Sequence, residues 1–421
     1  MDKILIKSAT LVYPGHEKNG QTFDILLEDG VIKAYGEHDS ISDDGVAVID
    51  GSNQFLAPGF FDLNANFGEP GLETKETIRS GCAAAMAGGF TGVAIQPNTQ
   101  PPLHSRSEVS TLINGAKEEL VSIYPIGAIS KDRSGNDLAE LYDMKLAGAA
   151  AFSNGNKSIQ QAGLMSRALL YCKGFDGLVM AFAEDYSISN QAPMNEGEVS
   201  TYLGIKGNPN LAEEIMIARD LALAVYHGAP IHFSTISTSG SVALIREAKQ
   251  KGIRVTCDVS AHHLVLTDDL VKSFDSHYKV NPPLRTQADI EALKTGLLDG
   301  TIDAIVSQHT PQEVEYKRVE FEIAKNGIIA LQTVLPLVLR AGLPLVTLIE
   351  KLAINPRKIL NIPLPRLDVG EMANLVLFNP EEKWIFDAQT NKSKSGNSPF
   401  YQSELTGKVT LVINKHKQYK G

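Results

Sequence analysis

Cysteine and tryptophan are scarce in this sequence. The chain of 421 residues contains three cysteines and one tryptophan. Cys82, Cys172 and Cys257 lie far apart, and no pair has the spacing of a zinc-binding or redox motif. This scarcity argues against a cysteine-based zinc site. A sparse, odd-numbered set of cysteines is typical of a protein in a reducing cytoplasm.

Positive charge and long apolar runs are also lacking. The 39 Lys and Arg residues are outnumbered by 49 Asp and Glu residues, which gives a formal net charge of −10. This balance argues against nucleic-acid and anionic-membrane partners, which need clustered basic residues. The most apolar stretch, residues 327–349, is interrupted by polar residues and prolines, and the N-terminus has no signal-peptide apolar core. We therefore expect a cytoplasmic protein.

Short apolar runs separated by turn signals occupy both ends of the chain. Hydrophobic residues make up 43% of the sequence and charged residues 21%, so a large core is available. Residues 1–56 contain alternating runs and the hairpin dipeptide Asp29-Gly30, and residues 367–421 repeat this pattern. Neither segment alone can bury enough surface to be stable. The pattern predicts one small β-sandwich domain formed by both termini.

The intervening segment, residues 57–366, alternates apolar strands with helical segments. The predicted strands are residues 55–63, 91–97, 122–130, 147–153, 177–184, 229–236, 253–260 and 303–309. Their near-continuous apolar character is typical of parallel strands that are buried on both faces. Eight strand–helix units predict an α/β TIM (β/α)8 barrel. The alternative is an open doubly wound sheet, but the sequence contains neither of the Gly-rich nucleotide-binding motifs.

Polar residues follow the predicted strands, where a TIM barrel places its active site. They are Asn64, Asn66, Asn98, Lys131, Asn154, Glu184, Asp185, Thr235, His262, His263, Gln308 and His309. Neutral amides and hydroxyls dominate this set. Of the ten histidines in the chain, only His262, His263 and His309 fall close to predicted strand ends.

Several ordered motifs resemble those of dihydroorotases, members of the amidohydrolase superfamily. They include PGFFDLNANFGEPGLETKETIRSGCAAAMAGGFTGVAIQPNTQPP (58–102), NEGEVS (195–200), VNPPLR (280–285), INPRKIL (354–360) and SKSGNSPF (393–400). The resemblance runs from near residue 1 to the C-terminus. It implies a barrel with a β-domain from both termini, and it associates the chain with zinc-dependent opening of a cyclic amide in pyrimidine biosynthesis.

The chain departs from this family at the positions that carry the chemistry. The resemblance implies metal ligands at five positions, which hold Asn64, Asn66, Asn154, Phe182 and Thr235 here. It implies a general base where Gln308 stands, and a substrate-binding Arg where Gly68 stands. The polar substrate positions Asn98, Asn281 and His309 are retained.

These departures predict a pseudoenzyme without a cofactor, although active family members use zinc. Zinc takes His, Cys or carboxylate ligands, which Asn, Thr and Phe do not replace. Bound metal lowers the pKa of water from about 15.7 to about 7, a contribution of about 12 kcal/mol to forming the nucleophile. The Gln308 amide has no useful basicity for a general base. The resemblance further implies a structural role as a noncatalytic partner of aspartate transcarbamoylase, and a homo-oligomer.

Two alternatives remain open from the sequence alone. The chain could be an active dihydroorotase, or a related cyclic-ureide amidohydrolase, with a rearranged metal site built from His262, His263 and His309 together with Glu184. It could instead be a binding module that holds a neutral small molecule through Asn98, Asn281 and the other amides. His309 is assigned equally well to a structural role and to a ligand contact.

Overall fold

The computed structural model describes residues 3–37 and 40–421, which form eighteen β-strands and twelve α-helices. The strands are β1 (Ile4–Leu11), β2 (Thr22–Glu28), β3 (Val31–Gly36), β4 (Ala47–Asp50), β5 (Phe55–Pro58), β6 (Phe60–Ala65), β7 (Phe90–Ile95), β8 (Ser122–Ala128), β9 (Ala151–Ser153), β10 (Val179–Phe182), β11 (Met194–Asn195), β12 (Gly207–Asn208), β13 (Ile231–Ser234), β14 (Val255–Ser260), β15 (Ala304–Val306), β16 (Asn374–Phe386), β17 (Ser403–Asn414) and β18 (Lys417–Lys420).

The helices connect the barrel strands and cover their outer face. They are α1 (Ile78–Ala87), α2 (Arg106–Gly115), α3 (Leu141–Ala147), α4 (Ala162–Lys173), α5 (Tyr186–Ser189), α6 (Glu198–Leu203), α7 (Leu211–His227), α8 (Ser239–Gln250), α9 (Gln287–Leu298), α10 (Val334–Arg340), α11 (Leu345–Ile349) and α12 (Asn355–Ile359). Short 3-10 helices occupy Lys131–Arg133, Ala261–Leu264, Asp268–Ser273, Ser276–Tyr278, Val314–Tyr316 and Leu331–Thr333, and a π-helical turn occupies Glu350–Ile354. No helix in the described ranges is long and apolar enough to cross a membrane.

Eight parallel strands form the barrel. Their order is β6, β7, β8, β9, β10, β13, β14 and β15, and each neighbouring pair runs parallel. A parallel bridge between Ala65 and His309 brings the first strand against the end of the last, so the barrel is nearly closed. All residues of β6, β7 and β10 are buried, as the continuous apolar runs predict. The predicted TIM barrel is confirmed.

The strands at the two termini form a second sheet. Its order is β18, β17, β16, β5, β1, β2 and β3, with β4 paired to the same side of β1 as β5. The join between the termini is the antiparallel pair β5–β16, from Pro58 opposite Leu375 to Phe55 opposite Phe378. The predicted β-structure from both termini is confirmed, and its hydrogen bonds link all eight strands into one sheet. The domain limits 1–56, 57–366 and 367–421 stay a prediction, and residues 1, 2, 38 and 39 lie outside the described ranges.

The junction between the two sheets lies at Gly59. The predicted strand 55–63 is in fact two strands, β5 in the terminal sheet and β6 in the barrel. A Cβ atom at Gly59 would lie 2.2 Å from the Thr91 side chain, so only glycine fits between the sheets. The buried Arg357 donates from Nη1 to the Gly59 carbonyl oxygen at 2.8 Å and covers the Phe61 ring at 5.3 Å. The first barrel strand is thereby held in position, and with it the side chains at its end.

Candidate functional site at the barrel mouth

Seven of the sequence-predicted site residues meet around a small cavity at the carboxyl end of the barrel. They are Asn64, Asn66, Asn98, Phe182, Thr235, Asn281 and Gln308. The cavity has a volume of about 40 Å³. This is room for a few water molecules at most, whereas small-molecule sites usually span about 300–1,000 Å³. We call these seven side chains the inner cluster.

The amides of the first two barrel strands hydrogen-bond to one another. Asn98 donates from Nδ2 to Asn66 Oδ1. Asn66 in turn donates from Nδ2 to the His309 carbonyl oxygen at 2.9 Å and to Thr310 Oγ1 at 3.0 Å. Both polar atoms of the Asn66 side chain are therefore engaged within the protein.

A second chain of hydrogen bonds starts at Gln308. Gln308 donates from Nε2 to the Asn281 carbonyl oxygen at 2.7 Å, and Asn281 donates from Nδ2 to Glu184 Oε2 at 3.0 Å. Asn208 donates to the other oxygen of Glu184 at 3.1 Å. The backbone of Gln308 is left-handed, with φ of 52°, as is that of Thr235, with φ of 55°. These conformations are costly for residues with a Cβ, and they persist where the surrounding structure holds them.

Asn154 lies outside the inner cluster. Its Oδ1 accepts from the Ser130 backbone N–H at 3.1 Å, and its Nδ2 donates to Ser130 Oγ at 2.9 Å. The Asn154 carbonyl oxygen accepts from Arg133 Nε at 3.0 Å. Asn154 therefore ties the loop after β8 to the loop after β9, and both polar atoms of its amide bond to Ser130.

Buried acids lie directly beneath the inner cluster. Asp62 accepts from the Ser307 backbone N–H at 2.9 Å and from Ser307 Oγ. These hydrogen bonds lower the pKa of Asp62, but burial has the larger effect and raises it to about 6. Asp258 contacts His232 Nε2 at 2.8 Å and accepts from the Thr235 backbone N–H at 2.7 Å. Each carboxylate is paired with donors from the protein itself. The strand-end pattern missed Asp62 and Asp258 because they lie within the strands.

His309 and Glu76 form a buried hydrogen-bonded pair. Its Nε2 lies 3.2 Å from Glu76 Oε2, and its Nδ1 accepts from the Ala330 backbone N–H at 3.1 Å. Burial alone would raise the pKa of Glu76, but hydrogen bonds from His309, Ser393 and Ser80 hold it below its usual value. Both ring nitrogens of His309 are occupied by the protein.

His262 and His263 are buried behind the inner cluster and do not line its cavity. The His263 ring contacts Ser260 Oγ through Nδ1 at 2.5 Å and the Pro282 and Pro283 carbonyl oxygens through Nε2 at 3.2 Å. Burial lowers the pKa of His263 to about 4, and it holds the pKa of His262 well below its usual range. Both rings are therefore neutral at pH 7.

Comparisons with known proteins agree with this architecture. The family model described as "Dihydro-orotase-like" matches residues 53–241. A dihydroorotase of Syntrophus aciditrophicus is 42% identical over 98% of this chain and 97% of its own length. The dihydroorotase of Acetivibrio thermocellus is also 42% identical, over 97% of both chains. The chain belongs to the dihydroorotase family.

Solved structures with the same fold include hydantoinases. The L-hydantoinase (dihydropyrimidinase) of Arthrobacter aurescens superposes with a TM-score of 0.85 at 23% identity, over 99% of this chain and 96% of that one. The dihydropyrimidinase of Brevibacillus agri superposes with a TM-score of 0.81 at 19% identity, over 99% and 94% of the two chains. At these identities the likeness shows the fold alone.

The side chains of this dihydroorotase-family chain do not fit a zinc centre at the mouth. The positions where the family resemblance places ligands present amides, a hydroxyl and a phenyl ring, none of which replaces imidazole or carboxylate on zinc. The polar atoms of Asn66 and Asn154 already bond to protein groups. Among the described residues, no group of three or more His, Cys, Asp or Glu side chains is placed to hold a metal ion.

Gly68 leaves no space for the arginine that the family resemblance implies. A Cβ atom at Gly68 would lie 2.1 Å from the Leu72 carbonyl oxygen and 2.7 Å from that of Glu76. The loop after β6 is therefore packed against this position, and any side chain would displace backbone. The chain therefore departs from the family pattern both at the substrate-binding Arg position and at the metal-ligand positions.

Proposed function

We propose that this dihydroorotase-family chain is a noncatalytic, structural member of pyrimidine biosynthesis that does not hydrolyse a cyclic amide. The neutral side chains at the expected metal-ligand and base positions carry this proposal, because four of the five ligand positions and the base position lie in the inner cluster, where Asn66 and Gln308 bond to other protein groups. Opening a cyclic amide needs an activated water, a polarised carbonyl and a base. Gln308 is an amide engaged with the Asn281 carbonyl, and the neutral His262 ring does not line the cavity.

A turnover assay tests this proposal directly. The full chain would be incubated with dihydroorotate, and with carbamoyl aspartate for the reverse reaction, each with added zinc, cobalt or manganese. We expect no turnover, while the Syntrophus aciditrophicus dihydroorotase prepared in parallel serves as the positive control. Turnover that His262→Ala or His309→Ala abolishes, and that Lys33→Gln on the exposed face of β3 preserves, would show an active rearranged site and overturn the proposal.

Metal analysis provides a second, independent measurement. The His309 nitrogens are engaged by Glu76 and Ala330, and those of His263 by Ser260 and two proline carbonyls. We therefore expect far less than one equivalent of zinc per chain after purification without added metal. One equivalent of bound metal, lost in His263→Ala, would contradict the proposal.

The structural role that we propose is support of aspartate transcarbamoylase, together with self-association into a homo-oligomer. An exposed apolar patch supports association: Tyr142 and Tyr171 flank the Phe175 ring at 5.5 and 5.6 Å, and Tyr226 is 82% exposed at the end of the neighbouring helix α7. Exposed patches of this kind mark interaction surfaces. Tyr171 and Tyr226 lie at helix C-termini, at the end of the barrel away from the mouth.

Co-purification from native extract tests the transferase partner, and light scattering tests the oligomer. We expect the transferase to elute with this chain and expect Tyr226→Glu to weaken at least one of the two associations. Lys33→Gln serves as a surface control on the terminal sheet. A chain that elutes as a monomer and never retains the transferase would contradict the structural role.

A further inference from the structure

A second, larger cavity opens above the inner cluster. Its volume is about 630 Å³, within the range of small-molecule sites, and the loops after β8, β9, β10, β14 and β15 contribute its walls. It shares Asn156, Val280, Asn281 and Asn326 with the inner cavity. We call it the outer cavity, and unlike the inner cavity it has room for a metabolite.

Charge distinguishes the outer cavity from the rest of the molecule. Four cationic side chains line it, Arg133, Lys157, Lys279 and Lys325, against a single carboxylate from Glu184. The Glu184 oxygens accept from Asn208 and Asn281, so this charge is already engaged by amides. In the described part of the chain, none of the four cations forms a side-chain ion pair with a carboxylate. A cavity with excess positive charge in a chain of net charge −10 attracts anions selectively.

Arg133 is held in place without a carboxylate partner. Its Nε donates to the Asn154 carbonyl oxygen at 3.0 Å and its Nη2 to Asn156 Oδ1 at 2.6 Å. The backbone is left-handed at both Asp132 and Arg133, with φ of 53° and 54°. Such strain at two successive non-glycine residues persists where surrounding contacts impose it, and it is concentrated at ligand-binding sites. The guanidinium is thus fixed by neutral groups at the wall of the cavity.

The opposite wall is built on buried lysines. Lys279 is 6% exposed and donates from Nζ to the Glu322 carbonyl oxygen at 2.6 Å. Lys317 lies beneath this wall, where its Nζ donates to the Lys325 and Gly327 carbonyl oxygens at 2.9 and 3.2 Å. Burial lowers the pKa of Lys279 to about 8; the charge of Glu322 opposes this shift, and the nearby charge of Lys325 adds to it. An anion in the cavity would offset this repulsion.

We propose that the outer cavity binds a small organic polyanion whose negative groups lie at two ends of the molecule. Arg133 and Lys157 follow the third and fourth barrel strands, whereas Lys279 and Lys325 follow the seventh and eighth, which lie across an eight-stranded barrel. Phosphate and carboxylate groups share the chemistry that these cations recognise. The proposal does not depend on the absence of hydrolysis, because none of the four cations lines the inner cavity.

Isothermal titration calorimetry of the full chain at low ionic strength tests this site. The probes are inorganic pyrophosphate and tricarballylate, with acetate as a single-charge comparison. We expect at least one of the two polyanions to bind with a dissociation constant below about 1 mM, and acetate at least about tenfold more weakly. Binding of pyrophosphate alone would identify a phosphorylated ligand, and binding of tricarballylate alone a polycarboxylate. Failure of both probes would overturn the proposal.

Variants locate the binding in the outer cavity. Arg133→Gln, and the double variant Lys157→Gln with Lys325→Gln, are each expected to raise the dissociation constant at least about tenfold, because a charge-assisted hydrogen bond contributes that much. Lys33→Gln lowers the net charge by one on a distant surface, as Arg133→Gln does at the cavity, and is expected to leave binding within about twofold. Lys157 and Lys325 are exposed, so the double variant can fold normally, which its melting temperature checks. Equal weakening by Lys33→Gln would overturn the assignment.

Discussion

The inner cluster consists of neutral side chains, whereas the buried acids close to it carry carboxyl groups. At the mouth, the positions that the family resemblance assigns to zinc ligands and a base hold neutral side chains, and the amides among them bond to other protein groups. Asp62 and Asp258 one layer deeper, and Glu76 in the loop after β6, are fully buried and keep their carboxyl groups. The difference lies in the partners: each of these buried acids receives hydrogen bonds from the protein itself, whereas a ring of ligand carboxylates and imidazoles needs a cation. Buried charge persists in this barrel where the chain supplies the counter-groups.

Removing the buried charge of Glu76 should have the largest effect. Glu76→Gln leaves His309, Ser393 and the Lys394 backbone N–H with a neutral group in place of the carboxylate that they share. We expect the free energy of unfolding to fall by about 3 kcal/mol or more, measured by urea denaturation at about pH 7. Glu320→Gln, at an exposed position, is the matched control and should change it by less than about 0.5 kcal/mol. Equal effects of Glu76→Gln and Glu320→Gln would show that the buried carboxylate contributes no more to stability than an exposed one.

Acidification should have the second-largest effect, because it lowers the stability through the buried His263. The pKa of His263 is about 4 in the folded chain and about 6.5 when unfolded, so the unfolded chain binds the extra proton between these values. Stability is therefore lost as the pH falls from about 6.5 to about 4, by about 3 kcal/mol for this residue. His263→Gln lacks this titrating group, so the difference in unfolding free energy between this variant and the unmodified chain should shrink by about 3 kcal/mol as the pH falls from about 6.5 to about 4. Exposed His416→Gln should show no such change, and a parallel pH profile for both variants would contradict the assignment.

Introducing a charge into the inner cluster should lower the stability by less, and it tests whether a buried charge without donors is unfavourable there. Asn66→Asp replaces the amide that donates to the His309 carbonyl oxygen and Thr310 with a carboxylate that repels the carbonyl. We expect a loss of about 1–3 kcal/mol at about pH 7. Burial raises the pKa of such an acid in the folded chain, so the loss should diminish as the pH falls and the acid becomes protonated. Asn136→Asp, exposed beside the outer cavity, should show neither effect in the same denaturation series.

Deleting a neutral amide should have the smallest effect. Asn98→Ala removes one donor to Asn66, and the adjacent cavity of about 40 Å³ can admit a water that donates instead. The loss expected from thermal or chemical unfolding is about 1 kcal/mol. Asn98→Leu fills the same space without a donor and should lose more. If Asn98→Ala lowered the free energy of unfolding as much as Glu76→Gln does, the neutral amides would contribute as much to stability as the buried acids, which would contradict the comparison.

The predicted elements agree with the structure where local pattern and burial coincide. Apolar runs buried on both faces produced all eight barrel strands, and turn-separated runs at the two ends produced one sheet. The segment 55–63 is the exception, because its pattern is continuous although the chain passes from one sheet to the other at Gly59. The Pro58-Gly59 dipeptide is a local turn signal at this point, but the change of sheet also depends on the approach of Thr91 and Arg357 from distant parts of the chain.

The barrel, the composite terminal sheet and the neutral character of the strand ends follow from apolar periodicity and residue type, which are local properties of the chain. Which side-chain groups meet depends on tertiary packing. It joined Gln308 to Asn281 and His309 to Glu76, and it placed Asn154 beside Arg133 rather than in the inner cluster. It also gathered four cations from loops far apart in the sequence around one cavity. Distances between side chains follow from packing of the whole barrel, and no single segment encodes them.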